Sequence, residues 1–175
     1  NRSTSHIIHP YVTHQEMTSH MPNLLLFGYG NPGRGDDALG PRLIEHVESL
    51  ALAQATCLVD MQLLIEHATD LSGFDQILFV DADMSCNEPF EFSTVDAKKD
   101  ESYTSHAITP AALMFIYQQI YRRQAPPAFL LRIRGYDFEL GDMLSQQADI
   151  NLDAAVKHVQ QWCLQPFNPM SHENK

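Results

Sequence analysis

The sequence predicts a single three-layer α/β domain with a mostly parallel sheet between helices on both faces. Short apolar runs of strand length alternate with longer amphipathic segments of helix length. A glycine-rich turn joins the first apolar run to the first amphipathic segment, and 175 residues are enough for one well-buried core. Because such alternation requires helical crossovers, both faces of the sheet should be covered.

Five strand candidates and four helix candidates follow from these patterns. We expect strands at residues 24–28, 56–60, 76–81 and 129–134, with a weaker one at 90–95. The weak strand follows its predecessor without a helical crossover, so it should be antiparallel and at an edge. We expect helices at 38–52, 63–71, 110–123 and 151–164. Thr109 and Pro110 together form a good helix start, with a hydroxyl cap before a first-turn proline.

Both ends of the chain are expected to lie outside the domain. Residues 1–20 are polar, carry four histidines, and lack the apolar stretch of a signal peptide. We interpret 1–20 as an added or disordered leader, because Met21 stands directly before the first strand. The domain should span 21–165, and 166–175 should be a frayed tail.

The composition limits the classes of partner. A net charge of −11 argues against nucleic acid and anionic membranes, and it favours cations. The three cysteines are scattered without a CxxC pair, so we expect neither a thiolate metal site nor a disulfide framework, and we expect a cytoplasmic location. No apolar run approaches the roughly 18 residues that a membrane span requires.

The glycine-rich turn at residues 28–40 supports two interpretations. Its glycine spacing matches the dinucleotide fingerprint, and Asp60 ends the second strand where a ribose-binding acid would lie. However, Asp36 and Asp37 would place negative charge beside a pyrophosphate, and Pro32 removes an amide donor. The acid pair therefore favours a turn that faces a cation.

Further polar residues follow the other strands, at the edge where such sheets bind ligands. Each residue also has a purely structural interpretation. One acid of the pair should cap the helix, and Asp81 could simply form a turn at the end of its strand. Asp83 could be solvated, and His106 taken alone could be an ordinary loop residue. Together, two carboxylates and an imidazole suit a divalent first-row cation with open positions. Spacing cannot establish this site, because its members come from separate loops.

Four motifs in order resemble those of the [NiFe]-hydrogenase maturation proteases, which trim the C-terminal extension of the hydrogenase large subunit. The segment 132–139 adds to the likeness, which covers most of 21–164 and implies a twisted, mostly parallel five-stranded sheet. The motifs are the glycine turn running to Asp36-Asp37-x-x-Gly40, then Gln62-Leu63 with Glu66-His67-Ala68, then Val80-Asp81-Ala82, and finally Ser105-His106 leading to Thr109-Pro110.

By that resemblance, the metal ligands are Asp37, Asp81 and His106. Many relatives have glutamate where this chain has Asp37. Because aspartate is one methylene shorter, Asp36 stays a second candidate metal ligand. Asp36 and Asp37 are also the candidates for a catalytic carboxylate. We expect Tyr136 and Phe138 either to line the substrate groove or to pin their loop. The expected substrate-binding residues are Gly30, Asn31, Gln62, Tyr136 and Phe138.

The implied activity is cleavage of one peptide bond in a large-subunit precursor. Nickel held by the precursor would be the recognition signal, and the free enzyme would bind another divalent ion at the same site. The chemical step would use a metal-polarised carbonyl, a metal-bound water or a carboxylate base. Two alternatives stay open: a nucleotide-binding oxidoreductase-like domain, and a metal-binding maturation factor without catalytic activity.

Overall fold

The computed structural model describes residues 21–100 and 107–166. The leader, His106 and residues 167–175 of the predicted tail lie outside the described residues. The α-helices are α1 (Leu39–Ser49), α2 (Pro110–Tyr121) and α3 (Gln146–Cys163), and the 3₁₀ helices are Gly35–Ala38 and Ile65–Leu71. The strands are β1 (Leu24–Tyr29), β2 (Ala55–Asp60), β3 (Gln76–Asp83), β4 (Phe90–Val95) and β5 (Ala128–Arg134).

The five strands form one sheet in the order β2-β1-β3-β5-β4. Strands β2, β1, β3 and β5 are parallel, whereas β4 pairs antiparallel with β5 at the edge. The predicted fold class and the predicted edge strand are both confirmed. Because the four parallel strands end on the same side, the loops that follow them meet at one edge of the sheet, called here the carboxyl edge.

Helical layers cover both faces of the sheet. Leu24 and Leu26 of β1 point into a core shared with α1 and α3. Leu25 and Phe27 point into a second core, shared with α2 and the second 3₁₀ helix. Buried on both sides, β1 is an unbroken apolar run, as expected of a central parallel strand. In the described ranges, no helix is long and apolar enough to cross a membrane.

Two predicted helices differ from those observed. Helix α3 begins at Gln146 rather than at 151, because the Ser145 hydroxyl accepts a hydrogen bond from the N–H of Ala148 and caps the helix. The segment predicted as a helix at 63–71 is a 3₁₀ helix that starts only at Ile65. Leu64 before it is extended and bridges to Ala107, which delays the start.

Candidate functional site

The turn after β1 fixes the position of Asp37. Gly30 has φ +148°, and a Cβ there would lie 2.0 Å from the carbonyl oxygen of Asp37. The main-chain N–H of Asn31 donates to Oδ2 of Asp37 at 2.7 Å. Gly30 and Asn31 therefore shape the part of the glycine turn that carries Asp36 and Asp37, called here the acid turn. Their predicted contact with substrate stays a prediction. Asp37 is half-buried, which leaves its carboxylate within reach of solvent.

Asp81 lies near the end of β3, beside the acid turn. The register pairs Val80 with Gly28, so Asp81 follows at the level where β1 enters the glycine turn. Burial raises the pKa of Asp81 to about 7; the N–H of Ala82 opposes this, and the charges of Asp37 and Asp83 add to it. The carboxylates of Asp37 and Asp81 therefore act on each other across the carboxyl edge.

Two mutually repelling carboxylates suit a bound cation, which would relieve both the repulsion and the burial of charge. Within 21–100 and 107–166, no group of three or more His, Cys, Asp or Glu residues could hold a metal ion. Among the described residues, a metal ion at this edge would therefore find no third ligand from these four residue types. The third predicted ligand, His106, lies outside the described residues, and the next residue, Ala107, bridges to Leu64.

Asp36 differs from its neighbour, because its side chain is fully buried. Oδ2 accepts hydrogen bonds from the N–H groups of Tyr136 at 2.8 Å and Asp137 at 3.0 Å, and from the Ser145 hydroxyl at 2.7 Å. Oδ1 accepts from the N–H of Ser145 at 2.7 Å. Burial alone would raise the pKa of Asp36, but these hydrogen bonds lower it. The carboxylate therefore holds a loop in place, and it presents no atom to a ligand.

The loop held by Asp36 spans residues 135–145 and is called here the 135–145 loop. Its Tyr136 hydroxyl contacts Glu88 and accepts a hydrogen bond from the Asn151 side-chain amide at 2.9 Å. The ring of Phe138 packs on Gly135, where a Cβ would lie 2.8 Å from it. Both aromatic side chains thus pin the loop, and their predicted role in substrate binding stays a prediction.

In residues 30–37 of the glycine turn, every main-chain amide donates a hydrogen bond within the protein. Pro32 has none. A phosphate cradle needs such groups free to face its ligand, so this geometry argues against the dinucleotide interpretation. The donor and acceptor pairs are as follows: Gly30 to Asp60 O, Asn31 to Asp37 Oδ2, Gly33 to Asn31 Oδ1, Arg34 to Asn31 O, Gly35 to Asp142 O, Asp36 to Asp137 O, and Asp37 to Arg34 O.

Two residues that shape the site, Ser145 and Asp60, have roles that were not predicted from the sequence. Ser145 caps α3 and also donates a hydrogen bond to Asp36. A serine directly before a helical segment is a capping signal that could have been recognised in the sequence. Asp60, considered earlier as a ribose ligand, instead binds His67 with a distance of 2.9 Å between Oδ2 and Nε2. The remaining predicted contact, Gln62, is exposed just beyond β2.

Comparison with known proteins supports the fold. No protein-family model and no curated protein matches the chain. Among solved structures, the [NiFe] hydrogenase maturation protease HycI from Thermococcus kodakarensis has a TM-score of 0.63 at 17% identity, over 82% of this chain and 94% of that chain. The hydrogenase maturating endopeptidase HybD from E. coli has a TM-score of 0.62 at 19% identity, over 80% and 91%.

A third structure, the hydrogenase 2 maturation peptidase from Thaumarchaeota archaeon SCGC_AB-539-E09, has a TM-score of 0.58 at 21% identity, over 80% of this chain and 97% of that chain. At these identities the likeness establishes the fold. The chain therefore has the fold that its motifs implied, over nearly the full length of these three proteins.

Replacing Asp36 by alanine should destabilise the protein. Four donors lose a charged acceptor, so the free energy of unfolding should fall by at least about 3 kcal/mol. Urea denaturation at pH 7 measures this loss, with Asp37→Ala as the control expected to cost about 1 kcal/mol. Because the folded pKa of Asp36 is lowered, its contribution should disappear as the pH falls below about 4. Equal small losses for both variants would contradict the conclusion that Asp36 holds the 135–145 loop in place.

Replacing Asp81 by asparagine should stabilise the protein without metal. Its raised folded pKa makes the ionised form costly, so Asp81→Asn should gain about 1–3 kcal/mol at pH 8, and the gain should vanish below about pH 4. Asp83→Asn is the matched control. Bonds from Ser85, Cys86 and Arg132 outweigh burial and lower the pKa of Asp83, so this variant should lose stability at pH 8. Thermal unfolding with a chelator present compares the two variants. Destabilisation by both would contradict the conclusion that ionised Asp81 is unfavourable in the folded protein.

Proposed function

We propose that the chain is an endopeptidase that removes the C-terminal extension of a [NiFe]-hydrogenase large-subunit precursor. The observation that carries the proposal is the pair of carboxylates, Asp37 and Asp81, that interact at the carboxyl edge of this fold. The three solved structures with the same fold are named as proteases or peptidases of hydrogenase maturation. The motifs that resemble this family provide the acid turn and the end of β3.

The site is suited to a metal ion that arrives with the substrate. Asp37 and Asp81 supply carboxylate oxygens, and we propose that His106 supplies an imidazole. In support, Ala107 bridges to Leu64, and the N–H of Ile108 donates to Leu63 O at 3.1 Å, which ties this part of the chain to the loop after β2. Nickel held by the precursor would complete its coordination with these groups. A precursor without nickel would lack this metal link to the protein.

The remaining residues of the site orient this ligand set. Gly30 and Asn31 hold Asp37, and Asp36 holds the 135–145 loop beside it. When bound, nickel would supply Lewis-acid polarisation of the carbonyl to be cleaved. We place Gln62 in contact with the extension, because it is exposed on the loop after β2.

Exposed apolar side chains lie in the loops that follow β2, β3 and β5 at the carboxyl edge. Met61 follows β2, Met84 follows β3, and Leu140 and Met143 lie in the 135–145 loop, with exposed fractions between 54% and 86%. Flexible thioether side chains adapt to the surface that they cover. We propose that these four residues, called here the apolar rim, contact the folded precursor around its cleavage point.

The structure bears differently on the two other hypotheses, a nucleotide-binding domain and a metal-binding factor without catalytic activity. A nucleotide-binding domain is disfavoured, because the amides of the glycine turn already have acceptors. A metal-binding maturation factor would use the same carboxylates without cutting, so only a cleavage assay separates it from the protease. We expect the protein to act in the cytoplasm.

The first test compares nickel-loaded and nickel-free precursor as substrates. Only the loaded form should be cut, and Asp37→Ala and Asp81→Ala should each lower kcat/KM by about a hundredfold or more. Asp153→Ala is the control, because Asp153 is exposed on α3. Product masses after timed incubation measure cleavage. Equal cutting of both forms would rule out recognition through nickel, and tight binding without cutting would support the non-catalytic factor.

The second test concerns the apolar rim. A variant with Met61, Leu140 and Met143 all changed to serine should raise KM for the loaded precursor by about tenfold or more, with kcat little changed, because binding surface is lost without altering the carboxylates. Steady-state kinetics measure both constants. The control changes three other exposed apolar side chains to serine: Ile120 in α2, Ile150 in α3, and Leu164 at the C-cap of α3, which are 51–61% exposed. An equal effect of the two triple variants would contradict the proposal.

A further inference from the structure

A buried imidazole and a partly exposed carboxylate close the loop that joins β2 to the second 3₁₀ helix. Nε2 of His67 lies 2.9 Å from Oδ2 of Asp60, and only 7% of His67 is exposed. The imidazole packs edge-on against the ring of Phe27, with ring centroids 4.7 Å apart. His67 is thus held between a strand end and the core, which leaves it no contact with a substrate.

The hydrogen bonds of His67 define its protonation. The main-chain N–H of Leu64 donates to Nδ1 at 2.8 Å, so Nδ1 carries no proton. The ring is therefore the neutral tautomer with its proton on Nε2, and Nε2 donates to Asp60. The other oxygen of Asp60, Oδ1, accepts from the N–H of Met61 at 2.7 Å. The carboxylate and imidazole thereby fasten both ends of a five-residue loop, 60–64.

This loop contacts the glycine turn on one side and Ala107 on the other. On one side, the N–H of Gly30 donates to Asp60 O at 3.1 Å, and Gly30 packs on the carbonyl of Asp37. On the other side, Leu64 bridges to Ala107.

We infer that Asp60 and His67 are positioning residues that set the separation between Asp37 and Ala107. Their catalytic consequence rests on the proposed function, whereas the mechanical link between His67 and Ala107 does not. Hydrogen-bond partners that orient metal ligands typically change metal affinity or activity by about 10–100-fold when removed. The effect here passes through main-chain contacts instead of through a ligand's own hydrogen bond.

The mechanical link is tested by hydrogen exchange at the amide of Ile108, which donates to Leu63 O. His67→Ala should raise its exchange rate by about tenfold or more in the full-length protein. His67→Gln should restore part of the protection, because its amide can still donate to Asp60. Val159→Ala is the control for lost stability, since Val159 is buried in the other core. Unchanged exchange in His67→Ala, or an equal rise in Val159→Ala, would overturn the link.

The functional consequence is tested with nickel-loaded precursor at a temperature where every variant is folded. His67→Ala should lower kcat by about tenfold and leave KM within about twofold, with partial recovery in His67→Gln. Val159→Ala should change neither constant. If wild-type protein cuts and His67→Ala cuts equally well, the positioning role is refuted and the proposed function stands. If wild-type protein does not cut, the proposed function fails, while Ile108 exchange still decides the link.

Discussion

The fully buried carboxylate of Asp36 joins the glycine turn to a segment that lies 100 to 109 residues later in the sequence. It accepts hydrogen bonds from residues 136, 137 and 145, and so ties the glycine turn to the 135–145 loop and to the start of α3. An ionised carboxylate is tolerated inside a protein only when its oxygens are satisfied in this way. Because Ser145 also caps α3, the position of that helix is coupled to the turn that carries Asp37. The geometry of the candidate site therefore depends on a residue that is not itself exposed there.

The acids near this edge divide into two kinds by the hydrogen bonds they receive. Asp36 and Asp83 accept several, which lower their pKa values despite burial. Asp81 has a raised pKa, because burial and the charge of Asp37 outweigh the N–H of Ala82. A pair that is unfavourable in the free protein is a place where a cation gains binding energy, and such local conflicts are expected at functional sites.

Much of the fold was predictable, because it follows from short-range patterns. The apolar runs marked all five strands, and the missing crossover before 90–95 predicted the antiparallel edge strand. The roles of Asp36 and Asp37 could not be separated in this way, because the donors to Asp36 lie 100 to 109 residues away. The pairing of Asp60 with His67 was missed for a related reason. The loop geometry that brings them together depends on the bridge between Leu64 and Ala107.

The glycine spacing that matches a dinucleotide fingerprint has another physical cause here. A Cβ on Gly28 would lie 2.6 Å from the carbonyl oxygen of Gly40, and one on Gly40 would lie 2.6 Å from that of Tyr29. These glycines let α1 pack against the end of β1, and Gly30 lets the acid turn close over itself. Phosphate-binding turns need the same close packing, but they also leave their amides free. Between residues 30 and 37 the amides are used by the protein, and the partly exposed carboxylate of Asp37 lies beside them.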